Sequence, residues 1–209
     1  MFAAGDGQDV IEDNGLGDND VLSISGHLAA DAIFSRLGTQ PSSSDLLIEF
    51  DNGDSITVNN TLNGSLGDQI EEIVFSDAIL TTADLQTLLI EQAPTDGDDT
   101  LIGFNGSDTL EGGLGNDTLI GGDGSDTYVF TAGDGQDVID DSGFGDTDVL
   151  SISGHLAADA TFTRLGTQPS SSDLLIEFGN GDSITVNDTL NGSSVDQIEQ
   201  IVFLSLIHI

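Results

Sequence analysis

The stretch "GGLGNDTLIGGDGSDTYV", from Gly112 to Val129, decides the fold because it contains one nine-residue pattern twice. The same pattern extends outward over Pro94–Asp140 in five units, of which the last follows the two-residue insertion Phe130–Thr131. Every unit has glycine at position four, aspartate at position six and an apolar or aromatic residue at position eight. A short fixed period of this kind is typical of repeat architectures, in which each unit stacks on its neighbours.

Each nonapeptide suits a loop followed by a three-residue strand. Glycines at positions one, two and four allow positive φ, so the loop can bend sharply and turn its carbonyl oxygens inward. The residue at position eight is the middle of the strand and points into the core. Two nonapeptides close one coil, and the strands of successive coils stack about 4.8 Å apart. The pattern therefore predicts an all-β fold built on a parallel β-roll.

Stacking places the aspartates of successive loops opposite one another in a chain with little positive charge. The 209 residues include 38 acidic and two basic side chains, for a net charge of −36. Pro94–Asp141 contains eleven aspartates but one glutamate, a preference that bulk acidity would not require. Calcium accepts 6–8 carboxylate and carbonyl oxygens at about 2.3–2.6 Å with loose geometry. We therefore expect calcium as the cofactor.

The units resemble the RTX, or haemolysin-type, calcium-binding repeats, whose pattern is glycine-glycine-x-glycine-x-aspartate-x-apolar-x. Gly112–Ile120 and Gly121–Val129 match it fully, whereas Pro94–Ile102 and Gly103–Glu111 lack parts of the glycine pair. The resemblance implies that calcium is held between loops of successive coils by position-six aspartates and loop carbonyls. The implied metal residues are Asp99, Asp108, Asp117, Asp126 and Asp137, with Gly97, Gly106, Gly115, Gly124 and Gly135. The implied pairs are Asp99 with Asp117, Asp108 with Asp126 and, across the insertion, Asp117 with Asp137.

A longer repeat organises the rest of the chain. Phe2–Phe75 recurs as Phe130–Phe203 at an offset of 128, with 62 of 74 positions identical. Each copy contains a predicted strand "DVLSISG", a hairpin of "DLLIEF" and "SITV" around an Asn-Gly turn with two positive-φ residues, and an alternating strand "QIEEIVF" or "QIEQIVF". One helix is predicted at about Thr82–Gln92, with a threonine cap. These segments resemble the haemolysin-type calcium-binding related domain that accompanies such rolls.

The two periods predict four parts. Residues 1–93 hold the end of a roll turn and the first β-rich module with its closing helix, 94–141 form the roll, and 142–203 form the second, truncated module. Residues 204–209, "LSLIHI", resemble the translation of a sequencing adapter and are expected to be a scar. Both ends are expected to be cuts in a longer repetitive protein. The absence of cysteine excludes a disulfide framework and a thiolate metal site.

Several polar residues outside the nonapeptides have more than one interpretation. Four aspartates form an additional metal site or cap turns; they are Asp18, Asp20, Asp146 and Asp148. His27 and His155 lack a metal-binding spacing, which favours a structural or surface role. Arg36 and Arg164 are expected to pair with neighbouring carboxylates. An EF-hand is excluded, since no glutamate stands at loop position twelve, and a flexible acidic linker would not place apolar residues at one repeat position.

Composition and motifs narrow the function. Nucleic acid and anionic membranes need a basic surface, so the charge argues against both as partners, and no apolar run approaches a membrane span. The sequence contains no nucleophile elbow, P-loop or HExxH motif that would indicate catalysis. The resemblance implies a secreted bacterial protein, exported unfolded, with calcium and neighbouring repeats of the same chain as partners.

Three functions remain open at this point. We expect a non-catalytic, calcium-stiffened structural segment of an extracellular or cell-surface protein, because the 128-residue duplication suggests an array. The alternative is the secretion and folding tail of an extracellular protease, lipase or toxin, with a catalytic domain elsewhere. The third is catalysis by the segment itself, which no motif supports.

Overall fold

The computed structural model describes residues 1–13, 19–38, 44–62, 70–141, 143, 147–166, 172–190 and 198–204. The chain divides into two compact units, Met1–Leu89 and Ile90–Ile209, and each is described by itself. Within the described residues both units consist mainly of strands, and one α-helix is present. The predicted all-β fold with a parallel β-roll is confirmed. No helix in these ranges is long and apolar enough to cross a bilayer.

The first unit contains two four-stranded sheets, with strand orders β1-β3-β7-β8 and β2-β6-β5-β4. Its elements are β1 (Phe2–Ala3), β2 (Gln8–Ile11), β3 (Val21–Ser25), β4 (Ala32–Leu37), β5 (Asp45–Phe50), β6 (Ser55–Val58), β7 (Glu72–Val74), β8 (Ile79–Thr81) and α1 (Thr82–Glu91). Parallel pairs join β1 to β3, β3 to β7 and β2 to β6, while antiparallel pairs complete both sheets.

The helix α1 begins where the sequence predicts it, at a reciprocal cap. The Asp84 N–H donates to Oγ1 of Thr81 at 3.2 Å, and the Thr81 N–H donates to Oδ2 of Asp84 at 2.9 Å. These two bonds satisfy backbone donors that the first turn of a helix leaves without partners. Leu85 is 1% exposed, so α1 is held by apolar packing as well as by its cap.

The hairpin of β5 and β6 is present, but its turn differs from the prediction. The Phe50 N–H donates to the Asp54 carbonyl and the Gly53 N–H donates to the Phe50 carbonyl, each at 3.0 Å. Gly53 has a φ of 88°, whereas Asn52 does not take positive φ. The connection is therefore a three-residue loop with one left-handed glycine. Asn52 instead accepts the N–H of Asp54 on its side-chain oxygen at 3.0 Å, which holds the loop in this form.

The second unit contains ten strands in two sheets, with orders β10-β12-β14-β18 and β15-β16-β17-β13-β11-β9. They are β9 (Thr100–Ile102), β10 (Thr109–Glu111), β11 (Thr118–Ile120), β12 (Thr127–Thr131), β13 (Gln136–Ile139), β14 (Asp148–Ser153), β15 (Thr161–Leu165), β16 (Asp173–Glu177), β17 (Ser183–Val186) and β18 (Ile198–Leu204). Consecutive nonapeptide strands alternate between the two sheets, as a roll of two units per coil requires.

The register of the roll follows the nine-residue period. Thr100 pairs with Thr118 and Thr109 pairs with Thr127, so equivalent strands of the first two coils are two nonapeptides apart. In the next coil Thr118 pairs with Val138, which absorbs the two-residue insertion without a change of face. The insertion lengthens β12 to five residues and leaves the stack in phase.

Both sheets of the roll continue into strands of the predicted second module. β13 pairs in parallel with β17, and β14 pairs in parallel with β18. β17 is also the last strand of an antiparallel meander with β15 and β16. Residues 94–141 and 142–203 therefore contribute strands to the same two sheets of one compact unit.

The core of the second unit is a column of position-eight side chains. Each of them is at most 2% exposed; they are Leu101, Leu110, Leu119, Tyr128 and Ile139. Strands β14 and β17 extend the same cluster with Leu150, Ile152, Ile184 and Val186. Burial of an apolar side chain of this size contributes about 1.5–3 kcal/mol relative to exposure. Burial of this column therefore determines which face of each coil points inward.

The identical segment Gln-Asp-Val-Ile occurs in both units and shows what stacking adds. In β13, between β11 and β17, Asp137 is 3% exposed and Ile139 is 1% exposed. In β2, which lies at a sheet edge, Asp9 is exposed and Ile11 is half-buried. The neighbouring coil, and not the local sequence, therefore buries the aspartate.

Candidate metal centre

The position-six aspartates form two ladders through the stacked loops. In the first ladder, the Asp99 N–H donates to Oδ1 of Asp117 at 2.8 Å, and the Asp117 N–H donates to Oδ1 of Asp137 at 3.0 Å. Each carboxylate thus accepts a hydrogen bond from the backbone of the coil before it. The structure brings together Asp99 with Asp117 and Asp117 with Asp137.

The second ladder contains three hydrogen bonds of the same kind, which join four residues. The Asp108 N–H donates to Oδ1 of Asp126 at 2.9 Å, and the Asp126 N–H donates to Oδ1 of Asp148 at 2.7 Å. The Asp148 N–H then donates to Oε2 of Glu199 at 2.7 Å. Asp148, which the sequence left open, is therefore the next member after Asp126. Glu199 was not predicted, because it lies in β18, whose pairing with β14 joins segments about fifty residues apart.

The second carboxylate oxygen of the inner rungs has no hydrogen-bond partner. It is Oδ2 of Asp117, Asp126 and Asp137, side chains that are 1%, 1% and 3% exposed. A buried carboxylate that is ionised costs several kcal/mol unless it is paired or coordinates a metal. Oxygens in this state, stacked on successive coils, fit a cation with several oxygen ligands.

Position-four glycines mark where successive loops touch. Gly115, Gly124 and Gly135 have φ of 138°, 126° and 116°, and a Cβ on any of them would collide with the carbonyl of the position-four glycine one coil earlier. Gly97 and Gly106, in the first coil, do not take positive φ, so the prediction is wrong for them. They instead present the carbonyl oxygens that face Gly115 and Gly124.

Position-one glycines serve a purpose that the sequence analysis did not predict. Gly112 and Gly121 do not take positive φ. A Cβ on Gly112 would collide with Oδ2 of Asp117, and one on Gly121 would collide with Oδ2 of Asp126. The glycine therefore makes room for the carboxylate five residues later in its own unit. The prediction of positive φ at position one is wrong, since close approach is the constraint there.

The pKa values of the inner carboxyl groups are raised above the ordinary value for aspartate. Burial raises the pKa of Asp126 to about 8 and the pKa of Asp137 to about 6, and neighbouring aspartate charges add to both increases. Burial also raises the pKa of Asp117. In each case the hydrogen bond from the preceding backbone opposes the increase, because it favours the charged form. A bound cation would favour ionisation in the same way and take the place of the protons.

The two aspartates of the first coil have a different environment. Oδ2 of Asp99 accepts hydrogen bonds from the N–H and the hydroxyl of Thr95 at 2.6 and 2.8 Å. Oδ2 of Asp108 accepts the N–H of Phe104 at 2.6 Å. Both side chains are half-buried. The structure therefore turns these two carboxylates toward their own loops, while their backbone N–H groups join the ladders.

A cluster that the sequence analysis missed lies beside the second ladder. One carboxylate oxygen each of Asp126, Asp141 and Asp148 lies within 4.8 Å of the others, and all three residues are buried. Asp141 occupies position one of its unit, where Gly103 and Gly121 stand in the coils before it. The exchange of a position-one glycine for an aspartate is the signal that could have identified it.

The histidines have the structural role that the sequence favours. The His27 ring stacks on Phe50 with centroids 3.8 Å apart, and its Nε2 lies 3.0 Å from Oδ2 of Asp54. The Gly5 N–H donates to the same carboxylate at 2.7 Å and is the main cause that lowers the pKa of Asp54 to about 2. The second unit repeats this arrangement with His155, Phe178, Asp182 and Gly133.

The remaining sequence predictions have mixed outcomes. The Asp20 N–H donates to Oε2 of Glu71 at 2.7 Å, which reproduces in the first unit the rung at the end of the second ladder. Asp18 and Asp146 lie outside the described residues. The pairing of Arg36 and Arg164 with neighbouring carboxylates stays a prediction.

Stacked loops with buried aspartates on a parallel β-roll define a calcium-binding repeat protein. The family of the RTX calcium-binding nonapeptide repeat (4 copies) matches residues 95–128 and 102–139, and the Haemolysin-type calcium binding protein related domain matches residues 45–84. The chain therefore carries RTX haemolysin-type calcium-binding repeats together with a related domain. Calcium is the ion that these repeats bind, and the repeats themselves are structural and non-catalytic.

One solved structure with similarity to the chain is the crystal structure of extracellular lipase LipA from Serratia marcescens, at 18% sequence identity. The alignment covers 98% of this chain and 38% of the lipase chain, with a TM-score of 0.20. The chain thus spans well under half of the length of the lipase. No curated protein matches the chain.

Proposed function

We propose that the chain is a calcium-stiffened structural segment of a secreted bacterial protein, and that its roll folds when calcium fills sites between the loops. The observation that carries the proposal is the set of buried Oδ2 atoms without hydrogen-bond partners on Asp117, Asp126 and Asp137. The proposed ligands are the position-six carboxylates Asp99, Asp108, Asp117, Asp126 and Asp137, with carbonyls of the loops that contain Gly97, Gly106, Gly115, Gly124 and Gly135.

The energetics support folding that depends on calcium. Carboxylates about 5 Å apart repel by roughly 0.8 kcal/mol per pair at the dielectric of water, and by more when they are buried. An ion at ten times its Kd stabilises the folded state by about 1.4 kcal/mol per site. Several linked sites therefore change the balance from repulsion to net attraction by several kcal/mol.

The affinity expected for such sites agrees with folding outside the cell. Extracellular calcium modules have Kd values of about 10⁻⁴–10⁻³ M. Sites in this range are empty at cytosolic calcium concentrations and filled outside, so the chain would stay unfolded until export. A roll that serves as the tail of an extracellular enzyme has the same requirement, and the full reading frame separates the two: further 128-residue units support the array, and a catalytic domain supports the tail.

Circular dichroism of the full chain tests the proposal directly. In EDTA the spectrum should show less β-structure than in millimolar calcium, and the change should be reversed when the chelator is added again. Size-exclusion chromatography should show a more compact chain with calcium. A complete β spectrum and unchanged elution volume in EDTA would contradict calcium-dependent folding.

A further inference from the structure

We propose an additional calcium site, outside the repeat pattern, formed by Asp126, Asp141 and Asp148 at the junction of the roll with the second module. It rests on the proposed calcium function but adds a ligand, Asp141, at a repeat position where the earlier coils carry glycine. One carboxylate oxygen from each residue lies within 4.8 Å of the other two. Oxygens bound to one calcium at about 2.3–2.6 Å are at most about 5 Å apart, so these three fit around one ion.

Asp141 enters this site because of an exchange at one repeat position. β11 and β13 pair in a register that sets Leu119 beside Ile139, and the Asp140 N–H donates to the Leu119 carbonyl at 2.9 Å. The same offset sets Asp141 beside Gly121. The earlier coils leave this position without a side chain, and here it carries a carboxylate that is 3% exposed.

Tyr128 fixes the orientation of Asp141. Its hydroxyl accepts the Gly121 N–H at 3.0 Å and donates to Oδ1 of Asp141 at 2.9 Å. Tyr128 is the tyrosine at position eight, where the other units have leucine or isoleucine. The tyrosine and the aspartate are thus a pair of departures from the repeat that make one hydrogen-bonded arrangement.

A second and independent observation points to a ligand at this place. Asp126 is 1% exposed, and its Oδ1 accepts the Asp108 N–H, but its Oδ2 has no hydrogen-bond partner. A Cβ on Gly121 would collide with both this Oδ2 and the Tyr128 hydroxyl, so the two atoms lie on the same side of Gly121. The unpartnered oxygen is therefore directed to the side where Tyr128 holds Asp141.

The donor set selects the class of ion. All three side chains supply carboxylate oxygens, and neither thiolate nor imidazole is among them, which suits a hard cation such as calcium or a lanthanide. The ion would link the loop before β12, the second residue after β13 and the first residue of β14. It would thereby fasten the last coil of the roll to the first strand of the module.

Terbium luminescence tests this site selectively. Terbium replaces calcium in oxygen sites, and its emission rises when a nearby tyrosine transfers excitation energy to it. The chain has one tyrosine and no tryptophan, and that tyrosine donates its hydrogen bond to Asp141. Emission that is excited through tyrosine therefore reports mainly on an ion at Asp126, Asp141 and Asp148, while equilibrium dialysis with calcium counts all sites.

The decisive variant is Asp141→Asn in the full chain, because asparagine retains an acceptor for the Tyr128 hydroxyl. Loss of an outer partner of a metal ligand costs about 10–100-fold in affinity, so loss of the charge of a ligand should raise the terbium midpoint by at least about tenfold. The number of calcium ions bound per chain, measured by equilibrium dialysis at physiological calcium concentration, should fall by one. The matched control is Asp13→Asn, which removes the same charge from the equivalent position in the first unit.

Three results separate this inference from the proposed function. Tyrosine-excited emission that is equal in Asp141→Asn and the unchanged chain would overturn the site, even if calcium still folds the roll. Equal effects of Asp13→Asn and Asp141→Asn would also overturn it, since general charge would then suffice. If the unchanged chain binds no calcium by dialysis, both this inference and the proposed function fail.

Discussion

At the scale of single residues, each position-six aspartate divides its two oxygens between two tasks. For Asp117, Oδ1 accepts the Asp99 N–H at 2.8 Å and sets the register of the coils, while Oδ2 has no hydrogen-bond partner. Glutamate at this position would have to place both oxygens about one bond further from the backbone. The division explains why the roll uses the shorter carboxylate almost without exception.

The substitution Asp117→Asn should weaken calcium-dependent folding. It retains an oxygen that accepts the Asp99 N–H but removes the charge that faces the ion. We expect the calcium midpoint, followed by circular dichroism, to rise several-fold, because charged ligands dominate the affinity of such sites.

Asp51→Asn is the matched control for this substitution. It removes the same charge from the exposed hairpin loop of the first unit, where the second copy carries Gly179. Its midpoint should stay within experimental error of the unchanged chain. Equal increases in both variants would show that bulk neutralisation, and not ligation, drives folding.

The substitution Gly112→Ala should destabilise the roll for lack of space. Its Cβ would collide with the carboxylate of Asp117, and overpacking of this kind costs about 1–3 kcal/mol. Urea unfolding in saturating calcium measures the loss. Gly179→Ala is the control, since its Cβ would have nothing within 4 Å and its φ is ordinary, so its change should stay within about 0.5 kcal/mol. Similar losses in both variants would mean that exchange of a loop glycine for alanine in general, and not the collision with Asp117, is responsible.

At the scale of elements, the loop between β5 and β6 is joined to two other segments by one carboxylate. Asp54, 6% exposed, accepts the Gly5 and Gly7 N–H groups at 2.7 and 3.1 Å and contacts His27 and Asn52 through Oδ2. The Asp54 carboxylate thus connects the hairpin loop with the turn at Gly5–Gly7 and with His27. The pKa of Asp54 is low because these hydrogen bonds favour its charged form.

The stabilisation from Asp54 should disappear in acid. Its folded pKa of about 2 lies below the ordinary value of 3.8, so its contribution is present above about pH 4 and is lost as the pH falls toward 2. The difference in urea midpoint between the unchanged chain and Asp54→Asn should therefore be largest near neutral pH and shrink below about pH 4. A difference that is constant from pH 6 to pH 2 would exclude the charged form as the cause.

At the scale of the whole molecule, a net charge of −36 must be compatible with compact units. Simple screening by salt would relieve repulsion at the surface, but it would not reach the carboxylates of the inner rungs, which are at most 3% exposed. An ion that sheds its water to bind several oxygens would neutralise them directly. We therefore expect the geometry of the buried oxygens, and not the net charge alone, to decide which cation binds.

Magnesium at the concentration that folds the chain with calcium should fail to do so. Magnesium demands octahedral geometry at about 2.0–2.1 Å and retains its water, whereas loops with carbonyl and carboxylate oxygens favour the larger ion. Parallel titrations with the two chlorides, followed by circular dichroism at constant ionic strength, measure the difference. Coincident midpoints would refute the ligand cage and favour screening.

Much of the roll is predictable from the sequence because its contacts are periodic. Position eight identifies the core, and the offset of two units identifies the partners of Asp99 and Asp108. The pairing of β13 with β17 was not predictable, since it joins segments nearly fifty residues apart, and the intervening segment with β14, β15 and β16 lacks the nine-residue period. Asp141 was not predicted for a different reason. It departs from the repeat pattern, because the earlier coils carry glycine at its position, and the predicted metal residues of the roll all follow the pattern.

The first coil of the roll has a consequence for assembly between molecules. A stack of identical coils could in principle polymerise end to end, because an edge strand accepts the backbone of another copy as readily as that of its own chain. At this end, however, the second oxygens of Asp99 and Asp108 are already occupied by Thr95 and Phe104 of their own loops. An ion shared with a foreign coil would have to displace these bonds before it could bind the second oxygens. We therefore expect the first coil to oppose end-to-end stacking of copies through shared ions, which favours a roll of defined length over a fibre.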